Sequence, residues 1–505
     1  QRCGLLAGPL VAFLVFFLLP QTYTDANGSS VPFENPARVV LVTMIWMAIW
    51  WMTEATEVST TALLPLVVLP FTGAVPIKAA AAPYAHHLIF LYMGGFIIAL
   101  SMQRWGLDKR MALGAIRLVG TRPVNMVGGF MIATAFLSAF ISNTATTAMM
   151  LPIGLSVVAL LQDKNGGTDP DPGRNLGVCL MLAIAYAATL GGVSTLIGTP
   201  PNGFFRSFVE DTISEPYRME VGFDQWLLVG LPVSLTLLPI TWLLLTRIIF
   251  PVSSRPIEGG NDLIRKEWRS LGRLKRGEWN TLIVFILAGF FWITRRLWTG
   301  LEIPSGGGAP SQPFAGLNDS GVAMAGAVLL FLLPAGRDAN GVKRSTMDWA
   351  TASKMPWEIL ILFGGGLSLA AAVDSTGVAR FIGSQAVHFA GFPTFAIVLI
   401  VTLTVILLTE LTSNLATTAA LLPVLAALAP GLGIHPYLLI FPATLAASCA
   451  FMMPVATPPN AIVFGSGHVT LPQMMKAGIW LNLLSLLVVL TVSYLLLEWA
   501  IGVAL

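Results

Sequence analysis

An eleven-residue polar segment occurs twice in this chain, and it limits the possible folds more than any other feature. Ser142-Asn143-Thr144-Ala145-Thr146-Thr147-Ala148-Met149-Met150-Leu151-Pro152 matches Ser413-Asn414-Leu415-Ala416-Thr417-Thr418-Ala419-Ala420-Leu421-Leu422-Pro423 at eight of eleven positions, 271 residues apart. The same offset aligns Gly94-Gly95 with Gly365-Gly366, Gly106 with Gly377, and Lys109 with Arg380. Thr199-Pro200-Pro201-Asn202 then matches Thr457-Pro458-Pro459-Asn460 at an offset of 258, because the first half has a longer loop at 162–175. Matches that hold one register over ~50 residues mark a duplicated unit.

Each Ser-Asn pair lies in the middle of an apolar stretch, 123–161 or 392–429. A bilayer core of ~30 Å needs only ~20 apolar residues, so each stretch is too long for one crossing. A segment that enters, breaks at a polar tip and returns fits better. Such backbone is tolerated where it is buried in protein or lines a wet cavity. Composition supports the membrane setting. The 505 residues are 55% hydrophobic and 10% charged, where a soluble domain carries roughly 25% charged residues. Other apolar spans lie near 4–20, 38–53, 57–73, 88–104, 176–197, 225–250, 278–298, 320–335, 357–374, 436–455 and 474–500. The expected fold is an all-α polytopic membrane protein with eleven crossings and two re-entrant hairpins. Arg2 before the apolar run Leu5 to Leu19 could begin a signal peptide. No small-residue cleavage site follows, which favours a retained first helix.

Charge placement orients this arrangement. The loop 251–278 carries Arg255, Arg265, Lys266, Arg269, Arg273, Lys275 and Arg276, and the positive-inside rule assigns it to the cytoplasm. The basic loops 104–122 and 336–356 then also fall inside. The loop 206–224, with Glu210, Asp211, Glu215 and Glu220, falls outside. The N-terminus is expected in the cytoplasm and the C-terminus outside, in an inner or plasma membrane. The chain divides into a first helix with an external loop (1–37), a first repeat (38–250), a basic linker (251–277) and a second repeat (278–505). Each repeat has five crossings and one hairpin. Five is odd, so the repeats lie in the membrane with opposite orientation, a signature of secondary transporters.

The repeated motifs carry the chemistry. Pro-Pro removes two backbone donors and interrupts a helix. Carbonyls left free on one side of a break, with Ser, Thr and Asn oxygens, suit a dehydrated sodium ion. Helix N-termini on the other side suit the oxygens of an anion. No Lys or Arg is found near the four motifs, so a dianion would need helix dipoles and co-bound cations for neutralisation. A lone Ser-Asn or Pro-Pro would be read as helix packing or a kink. Duplication at matched positions of an inverted repeat favours a binding role.

Other polar residues carry less. Glu54 and Glu57 lie at a short turn between spans, where capping or interfacial pairing is expected. Glu358 is an intramembrane carboxylate and functional by default. Glu410, three residues before Ser413, could tune the second hairpin or bond to backbone. His86-His87 is read as interfacial, and Gly364-Gly365-Gly366 as close helix packing. Cys3, Cys179 and Cys449 lack metal or disulfide spacing and are read as packing residues. Asn27-Gly28-Ser29 and Asn318-Asp319-Ser320 are glycosylation-type triplets of little weight. No nucleotide motif, catalytic dyad, metal cluster or nucleic-acid patch appears, so neither an enzyme nor an ATP-driven pump is expected.

The motifs resemble those of the divalent anion/sodium symporter family. The likeness includes Trp50-Trp51-Met52-Thr53-Glu54-Ala55, Thr61-Ala62-Leu63-Leu64-Pro65-Leu66, Phe90-Leu91-Tyr92-Met93-Gly94-Gly95-Phe96, the Ser-Asn-Thr tip and both Thr-Pro-Pro-Asn elements, and covers roughly 38–500. It implies a homodimer with scaffold and transport domains working by an elevator-like shift. The implied substrates are C4-dicarboxylates such as succinate, malate and fumarate, or citrate, 2-oxoglutarate or sulfate, moved with sodium or by exchange. It implies one sodium site at Ser138, Ser142, Asn143 and Gly198, and another at Thr409, Thr412, Asn414 and Ala456. Substrate contacts would come from Ser142, Asn143, Thr144, Ser413, Asn414, Thr457 and Pro458. One departure is Leu415, where the family usually has Thr. A hydroxyl is lost there, which puts ordinary C4-dicarboxylate selectivity in doubt.

Overall fold

The computed structural model describes residues 2–24, 29–120, 122–164, 172–213, 215–252, 260–302, 311–337, 343–386 and 391–501. Helices dominate. Among the described residues, eight are long and apolar enough to cross a membrane: Asn35–Thr53, Ile77–Trp105, Asn175–Val193, Phe223–Ile249, Arg276–Thr299, Trp357–Ser375, Asn414–Gly431 and Leu471–Ala500. Seven coincide with expected crossings, and the eighth, Asn414–Gly431, is the return limb of the second expected hairpin. The other expected crossings are short or interrupted apolar helices. Arg2–Leu18 and Asp319–Leu332 have 17 and 14 residues, short of the ~20 that a bilayer core needs. The span expected at 57–73 splits into Val58–Thr61 and Leu64–Phe71, where Pro65 has no amide proton to continue the ladder. Two small antiparallel ribbons, Thr22–Thr24 with Ser30–Pro32 and Pro334–Arg337 with Lys343–Ser345, occupy connections read from sequence as loops.

Several hydroxyls inside the apolar helices satisfy themselves locally. Thr241, Thr402 and Thr444 each donate to the carbonyl four residues back, at 2.7 Å. This removes the cost of a bare hydroxyl in hydrocarbon.

The interior is centred on the helix Pro172–Val193, whose described residues from Leu176 onward are buried without exception. It packs against both limbs of the first hairpin, Pro123–Ser138 and Asn143–Lys164, against Phe223–Leu243, and against Pro458–Gly465 of the other half. The second half repeats the pattern. Pro436–Ala447 packs against Thr394–Thr409, Asn414–Gly431, Leu471–Ile501, and Pro200–Asp211 of the first half. The halves therefore interlock reciprocally. Tyr92 and Phe363, equivalent at the 271-residue offset, meet edge to face with centroids 4.9 Å apart.

The run Gly364-Gly365-Gly366 is closely packed, as expected, and Gly94 is packed likewise. A Cβ at Gly365 would overlap the Ala62 carbonyl, one at Gly94 the Ala323 backbone, and one at Gly366 the Phe204 ring. Cys179 and Cys449 are buried free thiols; the side chain of Cys3 and residues 25–28, with Asn27-Gly28, lie outside the described residues. Glu54 takes a left-handed C-cap (φ 46°) and is exposed, as are Glu57 and Glu358. Asn318 caps the helix Asp319–Leu332 by accepting from Gly321 N at 2.8 Å.

Candidate transport site

Both hairpins turn at the expected Ser-Asn pair. In the first, the helix Pro123–Ser138 ends, residues 139–142 turn, and a new helix starts at Asn143. Ser138 Oγ donates to Asn143 Oδ1 at 2.7 Å. At the matched positions of the second, Thr409 Oγ1 donates to Asn414 Oδ1, also at 2.7 Å. A hydroxyl on the last turn of one limb thus fixes the amide that opens the other. The amide oxygen is held in place with lone-pair capacity to spare.

The breaks are also matched. The helix Pro172–Val193 stops, and Pro200–Asp211 begins after the turn 194–199. Asn202 Nδ2 donates back to Gly192 O (3.2 Å) and Thr195 O (2.7 Å). Asn460 Nδ2 donates to the equivalent carbonyls, Ala450 O (3.2 Å) and Met453 O (3.1 Å). The last residue of each Thr-Pro-Pro-Asn motif therefore ties the end of one helix to the start of the next. Sequence reading quoted both asparagines but gave them no role. Their Oδ1 atoms are buried without a partner among the described residues.

The residues expected at the first sodium site come together. Gly198 packs on the Gly192 and Ala139 carbonyls, Gly192 lies against the Asn143 amide, and Thr195 Oγ1 donates to Ala139 O. A side chain at Gly198 would fill this oxygen-rich corner. Ser142 is partly buried and its Oγ accepts from Ala145 N at 3.3 Å. In the second set, Thr409 Oγ1 also reaches Ala447 O at 2.6 Å, and Thr412 Oγ1 bonds Leu408 O at 2.9 Å and Thr417 Oγ1 at 2.6 Å. Ala456 is buried, and its N donates to Met453 O at 3.2 Å, the same carbonyl that Asn460 holds. Each set offers neutral oxygens, and no cluster of three His, Cys, Asp or Glu side chains suited to a metal occurs among the described residues.

Among the expected substrate contacts, Ser413 is the N-cap of Asn414–Gly431 with no side-chain cap bond. Thr457 Oγ1 accepts from Asn460 N at 3.3 Å, while Pro458 is exposed. Thr144 is exposed, but its counterpart Leu415 is buried at 6% exposure. The third position of the two tips is therefore unlike in placement as well as in chemistry.

Two charged residues are buried near the motifs. Glu410 is 4% exposed. Its carboxylate accepts from Phe451 N at 2.7 Å, Met452 N at 3.0 Å, Met453 N at 3.0 Å and Asn482 Nδ2 at 2.7 Å. Of the two sequence-based readings, the structure supports the backbone bond, made to the second break rather than to the hairpin. Glu410→Gln is expected to lower thermal stability by about 2–3 kcal/mol, because an amide NH₂ would face backbone donors. Unchanged thermal unfolding in detergent would mean that those donors had found other partners.

The other residue is Arg206, which corrects two expectations. The sequence pattern assigns it to an external loop beginning at 206 and predicts no basic residue near the motifs. The helix Pro200–Asp211 in fact runs past it, four residues beyond Asn202, and leaves it 2% exposed. Arg206, Glu210 and Asp211 lower the segment's hydropathy, which hid a helix that tertiary packing buries. The guanidinium is already engaged: Arg206 Nη1 lies 2.6 Å from Asp319 Oδ2, with Glu210 and Glu220 at 3.9 Å. Arg295 joins the group through Glu220 at 2.8 Å and Asp319 at 3.5 Å. His86 pairs with Asp211 at 2.8 Å and His87 with Glu210 at 3.3 Å. Arg206 is thus neutralised by its own carboxylates, and the motifs retain no free cation among the described residues.

Paired helix interruptions, exchanged between two halves of an apolar helical bundle, define a multi-pass membrane transporter and not an enzyme. The fold is shared with the Alcanivorax borkumensis YdaH transporter (TM-score 0.57, 12% identity, 99% of this chain and 98% of that one). It is shared likewise with Neisseria gonorrhoeae MtrF, of a class of antimetabolite efflux pumps (TM-score 0.57, 12% identity, 91% and 94%). The model of the sodium:sulfate symporter transmembrane region matches residues 4–503. The chain is 40% identical to the sodium-dependent dicarboxylate transporter SdcS of Staphylococcus saprophyticus over 509 residues, covering 100% of this chain and 92% of that protein. It is 38% identical to SdcS of Staphylococcus aureus strain USA300 over 506 residues, with the same coverage. The chain belongs to the sodium:sulfate symporter family.

Proposed function

We propose that this transporter moves a small divalent anion of the dicarboxylate class together with sodium ions. The observation that carries the reading is the duplicated hydroxyl–amide pair, Ser138–Asn143 and Thr409–Asn414, at the start of two helices. Each of these helices packs against the helix that follows the break of the opposite half. Neutral oxygens at the helix ends suit sodium, and backbone N–H groups at the helix starts suit carboxylate oxygens. Because the nearby guanidinium is consumed by Asp319, dianion charge is left for co-bound cations to offset. The names of the staphylococcal relatives agree with both sodium and dicarboxylate.

In this reading sodium occupies the set Ser138, Ser142, Asn143, Gly198 and the set Thr409, Thr412, Asn414, Ala456. The anion lies between Ser142, Asn143, Thr144, Ser413, Asn414, Thr457 and Pro458. With Leu415 buried, the third-position hydroxyl comes from Thr144 alone. Two re-entrant hairpins enter from opposite leaflets, the N-terminus is cytoplasmic and the C-terminus outside. A homodimer working by an elevator-like shift completes the proposal.

In proteoliposomes, labelled succinate is expected to accumulate only under an inward sodium gradient. Equal accumulation with potassium would remove sodium coupling. Uptake that needs internal substrate but no gradient would identify an exchanger instead.

A further inference from the structure

The basic linker has a property that its orientation alone does not explain. The helix Gly260–Ser270 docks its apolar side on the protein, with Ile264 buried and Trp268 under the guanidinium groups of Arg110 and Arg117 at 5.9 and 5.8 Å. Two nearby carboxylates are consumed by cations from the neighbouring helix, Glu267 by Lys109 at 3.0 Å and Glu278 by Arg110 at 2.7 Å, while Asp262 in the first turn is exposed. The cations on the outer side are left over. Arg265, Lys266, Arg269, Arg273, Lys275 and Arg276 are all exposed, and none has an ion pair among the described residues.

What adjoins them is lipid-facing surface. The helix Arg276–Thr299 exposes Trp279, Ile283, Ile286, Phe290, Ile293 and Leu297, each 48–75% exposed. Their spacing alternates three and four residues, so they form one stripe along the helix. Such a stripe on a membrane helix faces acyl chains. A tryptophan at its end sits at headgroup level, and Arg273, Lys275 and Arg276 lie within two turns of it. Long basic side chains at this depth can reach the phosphate layer while their stems stay apolar.

We propose that this segment is a docking surface for anionic phospholipid headgroups, with Arg273, Lys275 and Arg276 as its centre and Arg265, Lys266 and Arg269 as its extension. The occupant is the bilayer itself, because the charged row continues the lipid-facing stripe and its sign complements an anionic leaflet. The inference needs only that this helix faces lipid, so it stands apart from the substrate and the direction of transport.

The test uses the full-length protein in detergent, titrated with phosphatidylglycerol or phosphatidylcholine and read by native mass spectrometry. Phosphatidylglycerol should be retained at least tenfold better, because several basic residues face the anionic headgroup together. The variant R273Q/K275Q/R276Q should lose that preference, and sodium-gradient uptake in neutral liposomes should be unchanged. Should the triple variant fail to fold, raised salt on the wild type replaces it: phosphatidylglycerol should dissociate and phosphatidylcholine should not. Equal retention of the two lipids by the wild type would overturn the proposal. So would a variant that keeps the preference, or a preference indifferent to salt.

Discussion

Replacing Asn143 or Asn414 with alanine is expected to lower sodium-driven uptake on the order of tenfold to a hundredfold. The amide oxygen of each residue accepts a hydroxyl at 2.7 Å and is thereby aimed. A hydrogen-bonding or ion-ligating group of this kind contributes ~1.5–3 kcal/mol, and each 1.4 kcal/mol is about tenfold in affinity. Ser138→Ala should have a smaller effect than Asn143→Ala, since it removes the aiming bond and its own hydroxyl from the proposed set but leaves the amide oxygen. The loss should appear mainly as a weaker dependence on sodium concentration, with thermal unfolding close to wild type. Flux that survives in both asparagine variants would refute the site. A loss confined to Asn143→Ala would leave only the first half as a binding element.

The second large effect is on stability. Arg206→Met is expected to cost about 3–5 kcal/mol, because Asp319 stays buried with its main partner removed. Arg295 at 3.5 Å is the only other cation paired with that carboxylate among the described residues, and its hold is weaker. The double variant Arg206→Met with Asp319→Leu should recover part of the loss, since removing both charges removes the uncompensated one. Fluorescence-detected thermal unfolding in detergent measures both. A single variant that melts like the wild type would mean that water reaches Asp319. A double variant no better than the single would place the cost in lost packing instead.

The sequence made legible what depends on local chemistry and on repetition. The two tips start new helices at Asn143 and Asn414, and the two breaks restart at Pro200 and Pro458. These positions are readable because proline and the Ser-Asn pair act within a few residues. The close packing of Gly364-Gly365-Gly366 was readable because glycine lacks a side chain, although its partners, among them Ala62, were not. Contacts between distant segments were not. Glu410 reaches Phe451 N across 41 residues, and Arg206 reaches Asp319 across 113. Only the tertiary fold brings these partners together. Arg206 was also hidden by averaging, since hydropathy scores a charged helix like a loop and ignores neutralisation by neighbours. The exchanged packing of the two halves could not be read from either copy alone.

That exchange has a consequence for how the molecule is made. The limb Asn143–Lys164 packs against Pro458–Gly465, which leaves the ribosome roughly three hundred residues later. At ~5–20 residues per second that is on the order of 15–60 s. In the proposed topology the first hairpin's polar tip then stands in the bilayer without its final neighbour during this interval. Biogenesis of this chain therefore passes through a half-built state whose hydrophilic interior must be shielded by the insertion machinery or by water until the second repeat arrives.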